Sequence, residues 1–472
     1  MNNFFKQLDE GIKEMTFERV KNDGNRLYAE YTDENNVSTL IPVESPQFSE
    51  LLLLKIMEAS KDGKVPNIGQ CIKLLKAHFT YNETLPTIHV YKRIAGNLSS
   101  GIEYDLCDSK GQSVHITEGG WKIAPHKAKF ITPSLAQPQV SPKKTKTSLF
   151  ALLSTFVNLK GSQFKLFIVW LVQIFCCGTS YAILLMAEKG SGKSMLCRII
   201  KKIADPGKVD ICHKPKKMED LAVLLSNCRL VCLDNIGSLS KEESDLLCGA
   251  ITGTTDVKRS LYTNNEMSVS TLHNIVVINA ISAIPGEADL AERFLLFKLK
   301  KLTGDILKTD EEFWAEFDEN LPYVLGAIFD TLAKAMQIKK MKKQVGDKHR
   351  LSQAFVDMLC IAEALGISET EFREMLAENV ATMNAERGDV PVVEAVKEFM
   401  ARQGAKRKES GTSSEMYQRI RSNYSGDKNL LPRSASAFSK KLNLEKDSLA
   451  EAGINVSIIP GALHSTMTIH KK

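Results

Sequence analysis

The clearest pattern along the chain is a set of short, unbroken apolar runs separated by longer stretches of helical period. "YAILLM", "RLVCLD" and "HNIVVINA" each carry four to six apolar residues, β-branched side chains among them. Runs of that length without alternation suit strands buried on both faces, as in a parallel sheet. Between them lie amphipathic stretches such as "MLCRIIKKIA", so residues 149–338 predict an α/β unit. Beyond Pro322 the period turns helical, through "YVLGAIFDTLAKAMQ", "LSQAFVDMLCIAEALG" and "SETEFREMLAENVATMNAE". The last of these opens with the S-x-x-E form of a capping box at Ser368–Glu371.

Other rhythms bound this unit. Residues 1–134 mix two hairpin patterns, turning at 33–36 and 108–111, with the helical "FSELLLLKIMEASKD", and predict a mixed α+β domain. Residues 135–148, within "PSLAQPQVSPKKTKTS", are poor in apolar positions and read as a linker. A helical section over 339–388 precedes 389–472, where three short helical stretches lead into two strand-like pieces, "INVSIIPG" and "STMTIHK". That order predicts a winged helix. "LFIVWLVQIFCCGTSYAILLM" has about the length of a membrane span. Gly178-Thr179-Ser180 interrupts it, so a buried helix followed by a core strand is the reading, with no membrane partner.

Composition changes little in this picture. The 472 residues suffice for about three domains. The ten cysteines form no C-x-x-C pair and read as free thiols of a reducing, cytoplasmic compartment. No apolar leader opens the chain. The net charge is +6, but from Lys397 onward fourteen Lys and Arg face seven Asp and Glu. The C-terminal segment thus carries the whole basic excess, which suits a polyanion or a solvated basic face.

Candidate chemistry centres on "AEKGSGKSM" directly after the first apolar run. Gly190, Ser191, Gly192, Lys193, Ser194 and Met195 supply what a phosphate-binding loop needs. Its glycines let backbone N–H groups close on phosphate oxygens, a lysine reaches the β/γ-phosphates, and a hydroxyl takes part in binding Mg²⁺. Ala187 stands where such loops open with glycine. Asp234 ends the next apolar run as a carboxylate for Mg²⁺, so Ser194 and Asp234 form the expected metal pair and ATP the expected ligand. Asn235 comes next, and an amide can orient a water without taking its proton. Glu242, Glu243 and Asp245 offer nearby carboxylates, or merely acidic residues at a helix start. Asn279, closing "IVVINA", is a candidate for touching a γ-phosphate or the attacking water.

Taken in order, "GSGKS…LDN…SDLLCGAITG…KRSLYT…VVINA…DLAERFLLFKL" resembles the AAA+ ATPases of phages, satellites and genomic islands, which are often helicase–primase-like. The resemblance implies an AAA+ P-loop core with a helical lid over 339–388, acting as an ATP-dependent DNA helicase or translocase in a ring, most often a hexamer. It makes Arg293 of "DLAERFLLF" an arginine finger for a neighbouring subunit and Arg350 a sensor arginine of the lid. It also places a hairpin around Asn264-Asn265, where Lys258 and Arg259 would face DNA phosphates, a subunit interface or solvent. In the C-terminal domain Arg433, Lys440 and Lys441 are candidates for the DNA backbone, although winged helices also dock proteins. A primase or origin-binding protein is a further implied partner. Asp105 and Asp108 read as hairpin-turn residues, not as a primase centre. A regulatory or anti-phage ATPase, using nucleotide as a switch, is the competing expectation.

Overall fold

Met15, Phe17 and Val20 are buried along Met15–Val20 (β1), which pairs antiparallel with Arg26–Thr32 (β2) in the computed structural model. The structure describes residues 8–34, 37–59, 66–81, 85–133, 135–187, 190–237, 239–259, 267–280, 288–301, 309–342, 351–386, 391–403, 408–426, 428, 431–461 and 465–471. Ser38–Pro42 (β3) extends the first sheet beyond β2, and Thr87–Ile88 (β4) adds in parallel to β1, giving the order β3-β2-β1-β4. Pro46–Ala59 (α1) and Ile68–Tyr81 (α2) bury Phe48, Leu52 and Ile56, and Cys71, Leu75 and Phe79. The i, i+4, i+8 spacing puts each trio on one helix face, and both trios join one cluster with β1 and β2.

Ile94–Asn97 (β5), Gly101–Asp105 (β6), Gln112–Thr117 (β7) and Gly120–Pro125 (β8) form an antiparallel meander in sequence order. Its buried Ile102, Tyr104, Val114 and Ile116 belong to the same hydrophobic cluster as the residues beyond 149. The meander therefore shares one core with the α/β unit, because a sheet with one apolar face must cover it. The intervening 135–148 segment is stitched down by backbone pairs. Gln139 N–H donates to Leu106 O at 2.8 Å, Lys208 N–H to Leu135 O at 2.8 Å, and Lys143 N–H to Pro322 O at 2.8 Å. A low apolar content reads as linker in sequence, yet here polar groups hold the segment down, the backbone together with side chains such as Gln139, whose Nε2 donates to Lys202 O and Ile203 O at 3.0 Å.

The central sheet combines Ala182–Met186 (β9), Cys212–His213 (β10), Leu230–Asp234 (β11), Ile275–Ala280 (β14) and Phe294–Lys298 (β15). All its pairings are parallel, in the order β10-β11-β14-β9-β15. Between β11 and β14 in the chain, Thr254–Arg259 (β12) and Met267–Leu272 (β13) form a separate antiparallel pair. The helices around the sheet are, in chain order, Leu149–Leu153 (α3), Gly161–Gln173 (α4), Lys193–Ala204 (α5), Met218–Asn227 (α6), Lys241–Thr252 (α7) and Ala288–Ala291 (α8). In α4 every residue from Leu166 to Gln173 is buried, which accounts for its all-round hydrophobicity. No helix among the described residues is long and apolar enough to cross a membrane.

Strand β15 is an edge, and two amides close it. Asn379 accepts from Leu296 N–H at 3.0 Å and donates to Leu296 O at 2.7 Å, and Gln163 accepts from Lys298 N–H at 2.8 Å. Side chains thus stand in for a sixth strand and satisfy the exposed ladder.

Asp310–Met341 (α9) runs through Pro322, so helix begins well before the point the sequence pattern suggests. Phe317, Leu321, Val324, Leu325 and Ile328 keep one buried stripe across the proline, and that burial outweighs the lost backbone donor. Gly326 of α9 lies under the 135–148 segment, and a Cβ there would stand 1.9 Å from Lys143 O. We predict that Gly326→Ala lowers stability by about 1–3 kcal/mol through overpacking, read as a shift of the urea midpoint. Ser352–Ala364 (α10) and Glu369–Glu386 (α11) follow in the chain.

The chain divides into two units, with a boundary between Asn379 and Val380. In the second, Pro391–Arg402 (α12), Ser413–Asn423 (α13), Ala435–Leu444 (α14) and Lys446–Glu451 (α15) accompany a three-stranded antiparallel sheet. Its order is Lys408–Thr412 (β16), Thr466–Lys471 (β18), Ile454–Ile459 (β17). Phe399, Met416, Phe438 and Ile469 lie in its core. β16 is an element absent from the sequence reading, since "KESGT" carries no apolar alternation.

Candidate functional site at the carboxyl ends of the parallel strands

Strand β9 delivers the chain into the glycine loop. Gly190 and Gly192 take φ of +80° and +83°, left-handed values that cost glycine little. Lys193 and Ser194 then open α5, whose first N–H groups face the loop. The Lys193 ammonium folds back and donates to Ala187 O at the loop entrance. Burial pulls the lysine's pKa down, while Asp234 opposes that shift. Glu188 and Lys189 lie outside the described residues. Met195, the third residue of α5, packs partly buried against the main core. Asn158, in the turn between α3 and α4, donates through Nδ2 to Ser191 O at 3.1 Å and to Lys300 O at 2.6 Å.

Strand β14 lies between β9 and β11, so Asn279 at its end stands between the loop and Asp234. Asn279 is only 2% exposed, and its Nδ2 donates to Ser194 Oγ at 3.3 Å and to Asp234 Oδ1. Its backbone carbonyl takes the Ile236 N–H at 2.9 Å. The Oδ1 atom is buried with no hydrogen-bond partner among the described residues. Three residues from three separate elements therefore converge on one point, although 40 to 85 positions separate them.

Asn235 is exposed and has φ of +55°. Asparagine is among the few residues that adopt this conformation readily. Backbone shape thus gives a reason for asparagine at this position. We predict that Asn235→Gly leaves the urea midpoint nearly unchanged, whereas Asn235→Val costs about 1–2 kcal/mol.

Glu243 is committed locally. Ser240 and Glu243 complete a capping box on α7, and Glu243 Oε2 also accepts from Lys214 Nζ at 2.8 Å. Burial alone raises its pKa, and Lys214 with the Ser240 N–H overcomes that and holds it low. Asp105 is likewise turned to its own hairpin, accepting from Cys107 N–H at 2.7 Å and lying 3.1 Å from His126 Nε2. Asp108 accepts from the Lys110 and Gln112 N–H groups.

Arg293 sits just before β15, 8% exposed, with Nη1 3.4 Å from Cys248 Sγ of α7. Within this chain the guanidinium is turned inward. Arg350 lies outside the described residues. Lys258 and Arg259 end β12, with Arg259 opposite Met267, while their side chains and the Asn264-Asn265 turn lie outside the described residues. In the second unit Arg433 and Lys440 are exposed, and Lys441 Nζ pairs with Glu445 at 3.3 Å. Ser434 caps α14 through the Ala437 N–H.

Sequence comparison bears on the segment that holds this geometry. Residues 150–370 match the family described as the actinomycete integrative conjugative element replication protein. The match supports a replication protein of a mobile element. It spans β9, the glycine loop, Asp234, Asn279 and Arg293, and ends short of the second unit. No curated protein matches the chain. Among solved structures, an A-form apo structure of the NrS-1 C-terminal region covers 98% of this chain and 97% of its own at 13% identity, with a TM-score of 0.43. A second A-form apo structure of that region, spanning 305–718, has the same coverage at 14% identity and a TM-score of 0.40. Likeness at that level decides neither fold nor activity.

Proposed function

We propose that the first unit holds an AAA+ ATPase core and that the chain is an ATP-dependent DNA helicase or translocase. It would work as an oligomeric ring, a hexamer by its resemblance, in replication of a mobile element. The observation that carries this reading is the Asn279 amide, which joins the Ser194 hydroxyl to the Asp234 carboxylate beside the glycine loop. Ligands of open parallel sheets bind outside the carboxyl ends of the strands, where these residues lie.

The residues fit Mg²⁺, because a hydroxyl and a carboxylate oxygen already share one donor and Mg²⁺ prefers oxygen ligands supplemented by phosphates. When bound, the ion would neutralise charge on the β- and γ-phosphate oxygens. Ser194 and Asp234 would hold it, with Lys193 on the phosphates. Asn279 would keep the two oxygens in register and orient the attacking water, and Arg293 would add a cation across a subunit interface. The basic second unit, read as a winged helix, would bring Arg433, Lys440 and Lys441 to the DNA backbone.

The competing switch-type ATPase draws on Asn235, which cannot act as a base. ATP hydrolysis measured with and without forked DNA separates the two. The helicase reading expects stimulation by DNA, and a rate indifferent to DNA favours the switch.

A further inference from the structure

We infer that Asn158 is a positioning residue for the phosphate loop, setting its affinity for nucleoside triphosphates; this rests on the nucleotide-binding reading above. The loop can aim N–H groups at phosphates only if its carbonyls turn away, and a carbonyl turned into protein needs a donor. Ser191 is 1% exposed, and its carbonyl finds that donor in Asn158 Nδ2 at 3.1 Å. The same nitrogen holds Lys300 O at 2.6 Å, on the chain leaving β15. Leu299 N–H in turn bonds Met186 O at 3.0 Å, so the exits of β9 and β15 are tied together around this amide. Asn158 is itself fixed by its neighbours, since Phe156, Val157 and Leu159 are all buried in the main core.

One amide thus spends both donors on the backs of two strand exits. Aspartate in its place would present only acceptors to two carbonyls. Because the contact is to the loop backbone, its effect should follow the phosphates and be blind to the base.

The test compares the full chain with Asn158→Ala and Asn158→Ser in steady-state hydrolysis of ATP and of GTP, together with direct binding of each nucleotide. Loss of the donor is expected to raise KM and Kd roughly tenfold, with kcat within about twofold. The change should be equal for ATP and GTP, with the serine variant between wild type and alanine, and the thermal midpoint is expected to move little. An unchanged KM in Asn158→Ala would overturn the proposal. So would a loss confined to one base, which makes Asn158 a base reader, or a joint fall in kcat and thermal midpoint, which makes it a folding residue. If the unaltered chain binds no nucleotide, the functional reading falls and this proposal with it.

Discussion

Lys193→Ala is expected to abolish ATP turnover while leaving the fold intact. The side chain is half-buried at the first turn of α5, outside the hydrophobic core, and it donates to Ala187 O in the same loop. Removing it therefore strips charge from the phosphate site without opening the hydrophobic core. Catalysis of phosphoryl transfer is mostly positioning and charge stabilisation, so loss of the loop lysine is expected to lower kcat by at least ~10²–10³-fold, comparable to removing one preorganised donor elsewhere. The check is steady-state hydrolysis at saturating ATP, with circular dichroism to show that the helices persist. Turnover at the wild-type rate would remove Lys193 from the chemistry and leave the loop without a role.

Asp205→Ala is expected to cost more stability than Gly326→Ala or Asn235→Val. This carboxylate is 7% exposed and gathers three donors: Lys201 Nζ at 2.8 Å, the Leu230 N–H at 3.0 Å and Arg93 Nε at 3.4 Å. Arg93 and Lys201 are buried too, and Arg93 also holds the carbonyls of Asp105, Gln137 and Pro206. Alanine would leave two buried cations with carbonyls as their remaining partners, a loss of about 3–5 kcal/mol. Against a typical total of about 5–15 kcal/mol that is a severe defect. Burial by itself raises the Asp205 pKa, but Lys201 and then Arg93 reverse this and hold it below the usual carboxylate range. Its folded pKa is therefore depressed, so its contribution is present above about pH 4, the unfolded value. It is lost as pH falls through the folded value. Urea midpoints of wild type and Asp205→Ala should converge under acid and separate near neutrality. Equal midpoints at pH 7 would show that the cluster contributes nothing.

The two sites differ in how far sequence reveals them. Strands β9, β11 and β14 are legible because burial on both faces writes itself as an unbroken apolar run, and the β11 and β14 runs close on Asp234 and Asn279. Glycine, lysine and serine in fixed order mark the loop in the same local way. Asn158 and Asp205 carry no such mark. Each is a single polar residue whose partners lie from four to over a hundred positions away, so its role exists only once the chain has folded. The contacts of the polar 135–148 segment and the strand β16 leave no periodic mark in the sequence for a related reason, because backbone hydrogen bonds and single polar side chains make them. Pro322 misleads in the opposite direction, since a strong local rule yields to a buried stripe that continues on both sides. Arg293 is legible as a residue type in a motif, while its inward pose beside Cys248 comes only from packing.

The central claim is that nucleotide spent at Lys193, Ser194, Asp234 and Asn279 moves the protein along DNA. Strand displacement on a forked duplex, with purified full-length protein, ATP and Mg²⁺, tests it most directly. The account predicts ATP-dependent separation of the strands that disappears in Lys193→Ala. Vigorous ATP hydrolysis with no strand separation, and no response of the rate to DNA, would contradict it.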